Sequence, residues 1–256
     1  MERTASATSL PENPTVNVPL KPDELHIWSG RHDGADSKWL AWCLERLSES
    51  ERERLGAIGH DGKRREQILA RGSLREVLSQ VTGQAASAIE LLTTGRGKPC
   101  LAPATAMTVE FNLSHTAQWL AIAVTQGRRV GIDVEEPRPL PAWNRVARRY
   151  FSTRENAALD ALPPSRREQA FLTCWVRKEA LVKATGGGIA SGLGGFDVTV
   201  DPDEPARLLD SRTAALVPAD WHLADLSLEA PALGAVAVEG HPAPRPVHHR
   251  LPRPSD

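Results

Sequence analysis

Two stretches of the chain decide the fold: ILARGSLREVLSQVTG, residues Ile68–Gly83, and FLTCWVRKEALVKATG, residues Phe171–Gly186. Both place apolar residues at helical spacing, and both end in glycine, which signals the C-terminus of a helix. At a constant offset of 103 residues they share identical residues at Leu69/Leu172, Glu76/Glu179, Leu78/Leu181, Thr82/Thr185 and Gly83/Gly186. The chain therefore repeats itself, and each copy is predicted to contain a long amphipathic helix.

Strand-like segments surround the two predicted helices in the same order. LHIWS (residues 25–29) precedes the first helix, and VGIDV (residues 130–134) precedes the second. AIAV (residues 121–124) follows the first helix, and the similar AVAV (residues 235–238) follows the second. We therefore predict an α+β fold with two similar lobes related by a pseudo-twofold axis. The predicted N-terminal lobe spans residues 23–127 and the C-terminal lobe residues 128–240, and a site is expected in the cleft between them.

The two ends of the chain differ from the lobes in composition. Residues 1–22 are rich in Ser, Thr, Pro and Asn and are predicted to form a disordered arm. Residues 241–256, HPAPRPVHHRLPRPSD, contain five prolines and are predicted to form a solvated tail that includes His248 and His249.

Bulk properties exclude several classes of protein. The 256 residues carry a net charge of -1, which leaves no electrostatic footprint for nucleic acid. No run of 18 apolar residues predicts a membrane span, and the N-terminal residues lack the basic and apolar regions of a secretory signal. Cys43, Cys100 and Cys174 are widely separated, which argues against a disulfide framework and favours a reducing cytoplasm.

The second predicted strand continues as VGIDVEE, residues 130–136, and carries Asp133 and Glu135 two positions apart. Side chains at this spacing share one face of a strand, where like charges destabilise the sheet. A divalent cation or open solvent would offset the repulsion. At the matching places of the first half stand Trp28 and Gly30, so the acidic pair occurs only in the second half.

A third acidic residue lies on the second predicted helix. Trp175, Glu179 and Lys183 follow one another at i, i+4 and i+8, so they lie near one helical face. Glu179 is a candidate cation ligand and Lys183 a candidate anion contact. The alternative is an ordinary Glu-Lys pair on a helix surface.

Two further motifs could bind phosphate. GKP (residues 97–99) follows a turn-rich segment and is predicted to present a basic loop, the alternative being a plain turn. NLSH (residues 112–115) lies between two apolar runs and offers an amide, a hydroxyl and an imidazole. Its Ser-His pair does not indicate a hydrolase, because no GxSxG motif is present and neighbouring residues of a strand face opposite sides. The chain contains neither a P-loop nor a GxGxxG motif.

Four motifs occur in a fixed order: GKPCL (97–101), FNLSH (111–115), GIDVE (131–135) and WVRKEALVK (175–183). In this combination the chain resembles the surfactin-type 4′-phosphopantetheinyl transferases, the larger, two-lobed kind. The resemblance covers residues 23–240. The internal duplication of the sequence is also found in the monomers of that family.

The resemblance implies an enzyme that transfers the 4′-phosphopantetheine group of coenzyme A to a serine of a carrier protein and releases adenosine 3′,5′-bisphosphate. The carriers implied are those of fatty-acid, polyketide or nonribosomal peptide synthesis, and the enzyme is expected to be a monomer. Mg²⁺ would be held by Asp133, Glu135 and Glu179. Lys183 would contact the pyrophosphate, and Glu179 is the candidate general base.

The nucleotide end of coenzyme A would, by the same resemblance, contact Lys98, Ser114 and His115. Arg54, in SERERLGAI (50–58), matches a basic position that touches the nucleotide in relatives. A further position three residues earlier, basic in some members of the family, is Glu51 here.

Two other functions stay open at this level. One is a metal-dependent hydrolase of the coenzyme A pyrophosphate, and the other is a non-catalytic module that binds coenzyme A or a carrier protein. The segment 137–152 contains a basic face that is predicted to dock an acidic carrier, or else to be merely solvated. Its arginines are Arg138, Arg145, Arg148 and Arg149.

Overall fold

The computed structural model of the protein describes residues 17–93, 97–102, 108–187 and 192–254. Its helices are α1 (Ser37–Arg46), α2 (Glu49–Gly56), α3 (Asp61–Thr82), α4 (Trp143–Tyr150), α5 (Thr153–Ala161) and α6 (Pro164–Thr185). Its strands are β1 (Glu24–Arg31), β2 (Leu91–Thr93), β3 (Pro99–Leu101), β4 (Val109–His115), β5 (Trp119–Gln126), β6 (Val130–Glu135), β7 (Phe196–Val198), β8 (Leu208–Ser211), β9 (Trp221–Asp225), β10 (Leu233–Glu239) and β11 (Arg245–Arg250). The predicted α+β class is confirmed.

Two sheets form the middle of the molecule. The first has the strand order β11-β1-β5-β4, and the second has the order β6-β10-β9. The long helix α3 packs on the first sheet in one apolar core, and α6 packs on the second sheet in another. A third core lies between the two sheets. The layers are therefore helix, sheet, sheet and helix, which gives the two lobes predicted from the repeat.

The alternation of side chains along each strand assigns residues to these cores. In β5, Leu120 and Ile122 face α3, whereas Ala121 and Ala123 face the second sheet. In β6, Val130, Ile132 and Val134 all belong to the core between the sheets. The intervening residues of β6, including Asp133 and Glu135, consequently face α6.

Both long helices end where the repeated glycines predict. Gly83 and Gly186 cap α3 and α6 with positive φ angles of 73° and 67°. This left-handed conformation is strained for residues with a Cβ, so glycine is the residue that terminates the helix at little cost.

Gly131 has a different role, because α6 passes directly over it. A Cβ at this position would collide with the carbonyl oxygen of Ala180 and the backbone nitrogen of Ala184. The missing side chain lets α6 approach β6 closely. This contact brings the last turns of α6, with Glu179 and Lys183, beside the carboxylate of Asp133.

The duplication extends to a buried ion pair in each lobe. Ser48 and Glu51 form a capping box at the start of α2, and the Glu51 carboxylate accepts a hydrogen bond from Arg75 of α3. In the second lobe Ser152 and Glu155 form the same box at α5, and Lys178 of α6 lies 2.6 Å and 2.8 Å from the two Glu155 oxygens. The repeat in the sequence did not reveal Glu51 and Glu155 as equivalent, because α2 and α5 have few other residues in common.

The Pro-rich segment 241–256 differs from the predicted solvated tail. Its strand β11 pairs in parallel with β1, with His249 opposite Trp28. The two rings stack with their centroids 4.3 Å apart, and Leu251 is buried in the first core. The reason is that β1 offers an open edge, and an edge strand tolerates proline because one side of its backbone faces solvent.

The predicted arm, residues 1–22, is described only from residue 17 onward. The Val18 backbone nitrogen donates to the Gln80 carbonyl at 2.8 Å, and Leu20 is buried. The last residues of this segment are thus packed on α3, while residues 1–16 lie outside the described part of the chain. Among the described residues, no helix is long and apolar enough to cross a membrane.

Candidate active site

The site is built where β4 of the first lobe meets β6 of the second. The Asn112 side-chain oxygen accepts a hydrogen bond from the Ile132 backbone nitrogen at 2.9 Å. The Ser114 hydroxyl accepts one from the Val134 backbone nitrogen at 3.3 Å. Alternate polar residues of β4 therefore satisfy backbone donors of β6 and fix the two sheets against each other.

Ser114 also connects two of the predicted site residues. Its hydroxyl donates to Asp133 Oδ1 at 3.0 Å and accepts from the Lys183 ammonium at 3.0 Å. Lys183 in turn lies 2.6 Å from Asp133 Oδ1. Two residues, from β4 and α6, thus converge on a single carboxylate oxygen of β6.

The other oxygen of Asp133 is left without a partner. Asp133 Oδ2 and Glu179 Oε1 are buried and make no hydrogen bond within the described structure. Buried carboxylate oxygens normally have a hydrogen-bond partner. Two such oxygens without a partner, one on β6 and one on the adjacent helix α6, therefore need an explanation. A cation would satisfy both.

The acidic residues have raised pKa values, as their burial requires. Burial and then the Asp133 carboxylate raise the pKa of Glu179 to about 7. The same two causes raise the pKa of Glu135 above its usual value. Burial raises the pKa of Asp133 as well, although Lys183 opposes the shift. A positively charged group bound beside these carboxylates would therefore stabilise their ionised forms.

Helix α6 orders three side chains along the site, as its spacing predicts. Trp175, Glu179 and Lys183 are each one helical turn apart. Lys183 reaches Asp133, and Trp175 lines an apolar groove that also contains Glu135. Glu179 lies between them on the same face.

These carboxylates are not gathered into a finished metal cage. Within residues 17–93, 97–102, 108–187 and 192–254, no group of three His, Cys, Asp or Glu side chains is arranged to hold a metal ion. Mg²⁺ commonly takes only one or two protein carboxylates and completes its shell with phosphate oxygens and water. The hard oxygen donors and the two orphan oxygens are compatible with that kind of site, so the predicted trio stays a prediction.

A cleft of 660 Å³ opens beside Ser114 and Lys183. The predicted residues Arg54, Ser114, His115 and Lys183 all line it. Burial lowers the pKa of His115, whose Nε2 lies 3.2 Å from the Gln67 amide nitrogen. The structure therefore brings four predicted residues from both lobes to one cavity.

Sequence reasoning missed other polar residues that line this cleft, among them Gln67 and Arg71. Both belong to α3, where Gln67, Arg71 and Arg75 follow at i, i+4 and i+8. That polar stripe on an otherwise apolar helix was the available signal. It predicts a face of α3 turned toward something other than the core.

Lys98 is placed differently from the predicted basic loop. Its ammonium donates to the Val130 carbonyl at 3.0 Å and lies 3.9 Å from the Glu110 carboxylate. Its neighbours Gly97 and Pro99 line the cleft, whereas Lys98 does not. Because side chains alternate along an extended segment, Lys98 points from the cleft wall toward the start of β6, and burial lowers its pKa.

Glu51, three residues before Arg54, has a structural role. It is buried between Arg75 and Arg71, with its Oε1 3.5 Å from the Arg71 guanidinium. The carboxylate thereby holds Arg71 at the rim of the cleft.

An apolar groove of 260 Å³ is lined in part by Glu135 and Glu136. Trp143 and Val146 of α4 line it together with Phe171 and Trp175 of α6. Along α6, Glu179 therefore lies between Lys183, which lines the polar, cationic cleft, and Trp175, which lines the apolar groove.

Comparison with known proteins assigns the family. A model described as "4'-phosphopantetheinyl transferase, N-terminal" matches residues 33–127, and one described as "4'-phosphopantetheinyl transferase superfamily" matches residues 129–237. The 4′-phosphopantetheinyl transferase HetI of Nostoc sp. (strain PCC 7120 / SAG 25.82 / UTEX 2576) is 36% identical over 91% of this chain and 94% of its own. The chain belongs to the 4′-phosphopantetheinyl transferase family.

Other members of the family match over shorter stretches. The 4′-phosphopantetheinyl transferase AcpT of Escherichia coli (strain K12) is 38% identical over 49% of this chain and 60% of its own. The 4′-phosphopantetheinyl transferase Sfp of Bacillus subtilis (strain 168) is 28% identical over 61% of this chain and 68% of its own. The prediction of an enzyme of this class is confirmed. The border between the two family models falls between β5 and β6, which is where the polypeptide passes from the first sheet to the second.

Proposed function

We propose that this phosphopantetheinyl transferase, of the surfactin type, moves 4′-phosphopantetheine from coenzyme A to a serine of an acyl or peptidyl carrier protein and releases adenosine 3′,5′-bisphosphate. One observation carries the proposal. Asp133 and Glu179 each have a buried carboxylate oxygen without a hydrogen-bond partner, and the Lys183 that is bonded to Asp133 lines a cationic cleft, while Glu135 lines an apolar groove.

The two cavities correspond to the two chemically different ends of coenzyme A. The nucleotide end is anionic and suits the cleft with Arg54, Arg71 and His115. The pantetheine arm is largely apolar and suits the groove formed by Trp143 and Trp175. The pyrophosphate that joins the two ends would then lie between the cavities, next to Lys183 and the acidic residues.

Mg²⁺ fits the donors present, and Asp133, Glu135 and Glu179 would hold it. When bound, the ion would neutralise charge on the pyrophosphate. Lys183 supplies a second positive charge on the same side, and its contact with Asp133 and Ser114 keeps its ammonium in place. Phosphoryl transfer depends chiefly on such positioning and charge neutralisation.

Glu179 is suited to act as the general base. In the metal-free chain, burial and the Asp133 carboxylate raise its pKa to about 7, which makes it a stronger base than an ordinary glutamate. The carrier serine oxygen forms a bond to the phosphorus that bears pantetheine, and the bond from that phosphorus to the bridging oxygen breaks. The serine proton passes to Glu179, and the nucleotide leaves with the bridging oxygen.

The test is a product analysis. The purified chain is incubated with coenzyme A, Mg²⁺ and a panel of apo carrier proteins from fatty-acid, polyketide and peptide synthesis. Mass spectrometry should show one phosphopantetheine group added to a carrier serine, together with adenosine 3′,5′-bisphosphate in equal amount. Free phosphopantetheine formed without a carrier would indicate a hydrolase. Binding of coenzyme A without any turnover on the panel would indicate a non-catalytic module.

A further inference from the structure

The contacts between β4 and β6 form a ladder that continues beyond the acidic pair. Three polar side chains two residues apart, Asn112, Ser114 and Thr116, contact three residues of the second lobe that are also two apart. The first two rungs are Asn112 to Ile132 and Ser114 to Val134. In the third rung the Thr116 hydroxyl donates to the Glu136 carboxylate. We call this set of three contacts the lobe-joining ladder.

Glu136 fastens the turn between β4 and β5 as well as the ladder. The same oxygen, Oε1, accepts a second hydrogen bond from the Gln118 backbone nitrogen at 2.9 Å. The Thr116 hydroxyl accepts one from the Trp119 backbone nitrogen at 3.0 Å. From the other side the His32 ring contacts the Thr116 carbonyl at 3.0 Å. The Gln118 nitrogen also donates to the Thr116 hydroxyl at 3.3 Å, so one carboxylate oxygen of the second lobe adds to the bonds that hold the tip of a hairpin in the first.

This hairpin tip adjoins the site. Thr116 directly follows His115, which lines the cleft, and the middle rung of the ladder is Ser114, which contacts Asp133 and Lys183. If the third rung is lost, the end of β4 keeps its pairing with β5 but loses its contact with Glu136, and the two rungs further back join β4 to β6. His115 can then shift relative to Asp133, and small misplacements near a reacting centre are costly.

We infer that Glu136 is a positioning residue of the transferase: by accepting hydrogen bonds from Thr116 and Gln118, it sets the cleft wall of the first lobe against the acidic residues of the second. The inference rests on the proposed function for its effect on activity. It does not involve the charge of Glu136, because both donors need only an acceptor oxygen. Glutamine supplies the same oxygen at the same reach, whereas alanine supplies none.

The experiment compares Glu136→Gln, Glu136→Ala, Thr116→Val and the double variant Glu136→Ala/Thr116→Val. Glu229→Ala is the matched control. Glu229 is an exposed carboxylate that, like Glu136, raises the pKa of Arg31 through its charge. We expect Glu136→Ala to raise the KM for coenzyme A by about tenfold, the usual effect of losing a hydrogen bond to a charged group. The KM for the carrier should stay unchanged, and Glu136→Gln and Glu229→Ala should stay within about twofold of the wild type.

The double variant tests whether the two residues act as one unit. Since Glu136→Ala and Thr116→Val remove the same rung, the double variant should lose no more than the worse single variant. Hydrogen exchange provides a readout without turnover. The Gln118 and Trp119 amides should exchange faster in Glu136→Ala than in the wild type or in Glu136→Gln.

The possible failures are separable. Loss of activity in Glu136→Gln equal to that in Glu136→Ala would show that the charge matters and would overturn the inference. So would an unchanged KM for coenzyme A in Glu136→Ala while the wild type transfers normally. If the wild type shows no transfer, the proposed function fails, and the binding of coenzyme A with the exchange of the Gln118 amide still decides the role of Glu136.

Discussion

The Lys183 ammonium nitrogen lies 2.6 Å from Asp133 Oδ1, while Asp133 Oδ2 has no hydrogen-bond partner. Lys183 and Ser114 together saturate one oxygen of this carboxylate. The other oxygen is buried without a hydrogen-bond partner, as is Glu179 Oε1. Asp133 thus binds a cation of the protein through one oxygen and leaves the other oxygen available for the Mg²⁺ that we propose.

Asp133→Ala should reduce transfer by at least about 10²-fold, because it removes one electrostatic contact that stabilises the transition state. The fold should persist, since the substitution relieves a buried charge and Lys183 can turn toward solvent. Initial rates of carrier modification at saturating Mg²⁺, together with a thermal melt, measure both effects. The control is Asp210→Ala, which removes an exposed carboxylate of β8. Near-normal turnover of Asp133→Ala would contradict the metal assignment.

Replacing Arg71 and replacing Lys98 should have different effects on the binding of coenzyme A and 3′-dephospho-coenzyme A. Arg71 lines the cleft, whereas the Lys98 ammonium is directed at the Val130 carbonyl. We expect Arg71→Ala to weaken the binding of coenzyme A by about tenfold, because a charge-assisted contact is lost, and to weaken the binding of 3′-dephospho-coenzyme A less. Lys98→Ala should affect the two ligands equally.

Calorimetric titration of both ligands measures these differences. Arg52→Ala is the matched control, because the Arg52 guanidinium donates to the carbonyls of Leu44 and Glu45 and does not line the cleft. A larger loss for coenzyme A than for the dephosphorylated ligand in Lys98→Ala would return the 3′-phosphate contact to Lys98.

Glu179 should make the protein less stable as the pH rises. Its pKa is about 7 in the folded chain against an ordinary value of 4.5. Between these values the folded state binds a proton that the unfolded state lacks, so the free energy of unfolding falls with increasing pH. Asp133 and Glu135 shift in the same direction and add to the slope.

Urea unfolding at pH 5 and pH 8 without divalent cations tests this. Glu179→Gln should be more stable than the wild type at pH 8 and should show a shallower decline. Mg²⁺ added at pH 8 should stabilise the wild type more than the variant, since a ligand of the folded state shifts the equilibrium toward it. His115, whose pKa is lowered by burial, titrates in the same window with the opposite sign, so the comparison with the variant is the one that decides. A change in stability between pH 5 and pH 8 that is the same in Glu179→Gln as in the wild type would rule out the raised pKa.

Local signals predicted the parts of this fold that local physics determines. The helices α3 and α6 follow from apolar periodicity, and Gly83 and Gly186 end them because only glycine adopts positive φ without strain. Asp133 and Glu135 indicated a candidate site, because the equivalent strand of the first half forms without two carboxylates on one face. These features depend on residues close together in the chain.

The parts that escaped prediction depend on distant residues. Strand β11 forms because β1 offers an unpaired edge more than 200 residues earlier, a fact that the proline content of the segment hides. The direction of Lys98 is set by the carbonyl of Val130, which belongs to the other lobe. The ladder from Asn112 to Glu136 likewise exists only once the two sheets have met. Composition and periodicity carry no information on such pairings.

The carrier protein should dock beside the apolar groove, on the exposed face of α4. Arg145 and Arg149 are solvent-exposed and four residues apart, with Trp143 and Val146 of the same helix lining the groove. Arg148, which the sequence placed with them, is paired with Asp160 at 2.7 Å and is therefore less available.

The double variant Arg145→Glu/Arg149→Glu should raise the KM for an acidic carrier, mainly through slower association, and leave the KM for coenzyme A unchanged. Its kcat/KM for the carrier should also depend less on ionic strength, because the attraction that salt screens has been removed. Steady-state kinetics with each substrate varied in turn measures these effects, and Lys38→Glu/Lys63→Glu makes the same change of charge on the exposed surface of the first lobe. An unchanged KM for the carrier in the α4 variant, or an equal rise in this control, would show that the carrier does not dock on α4.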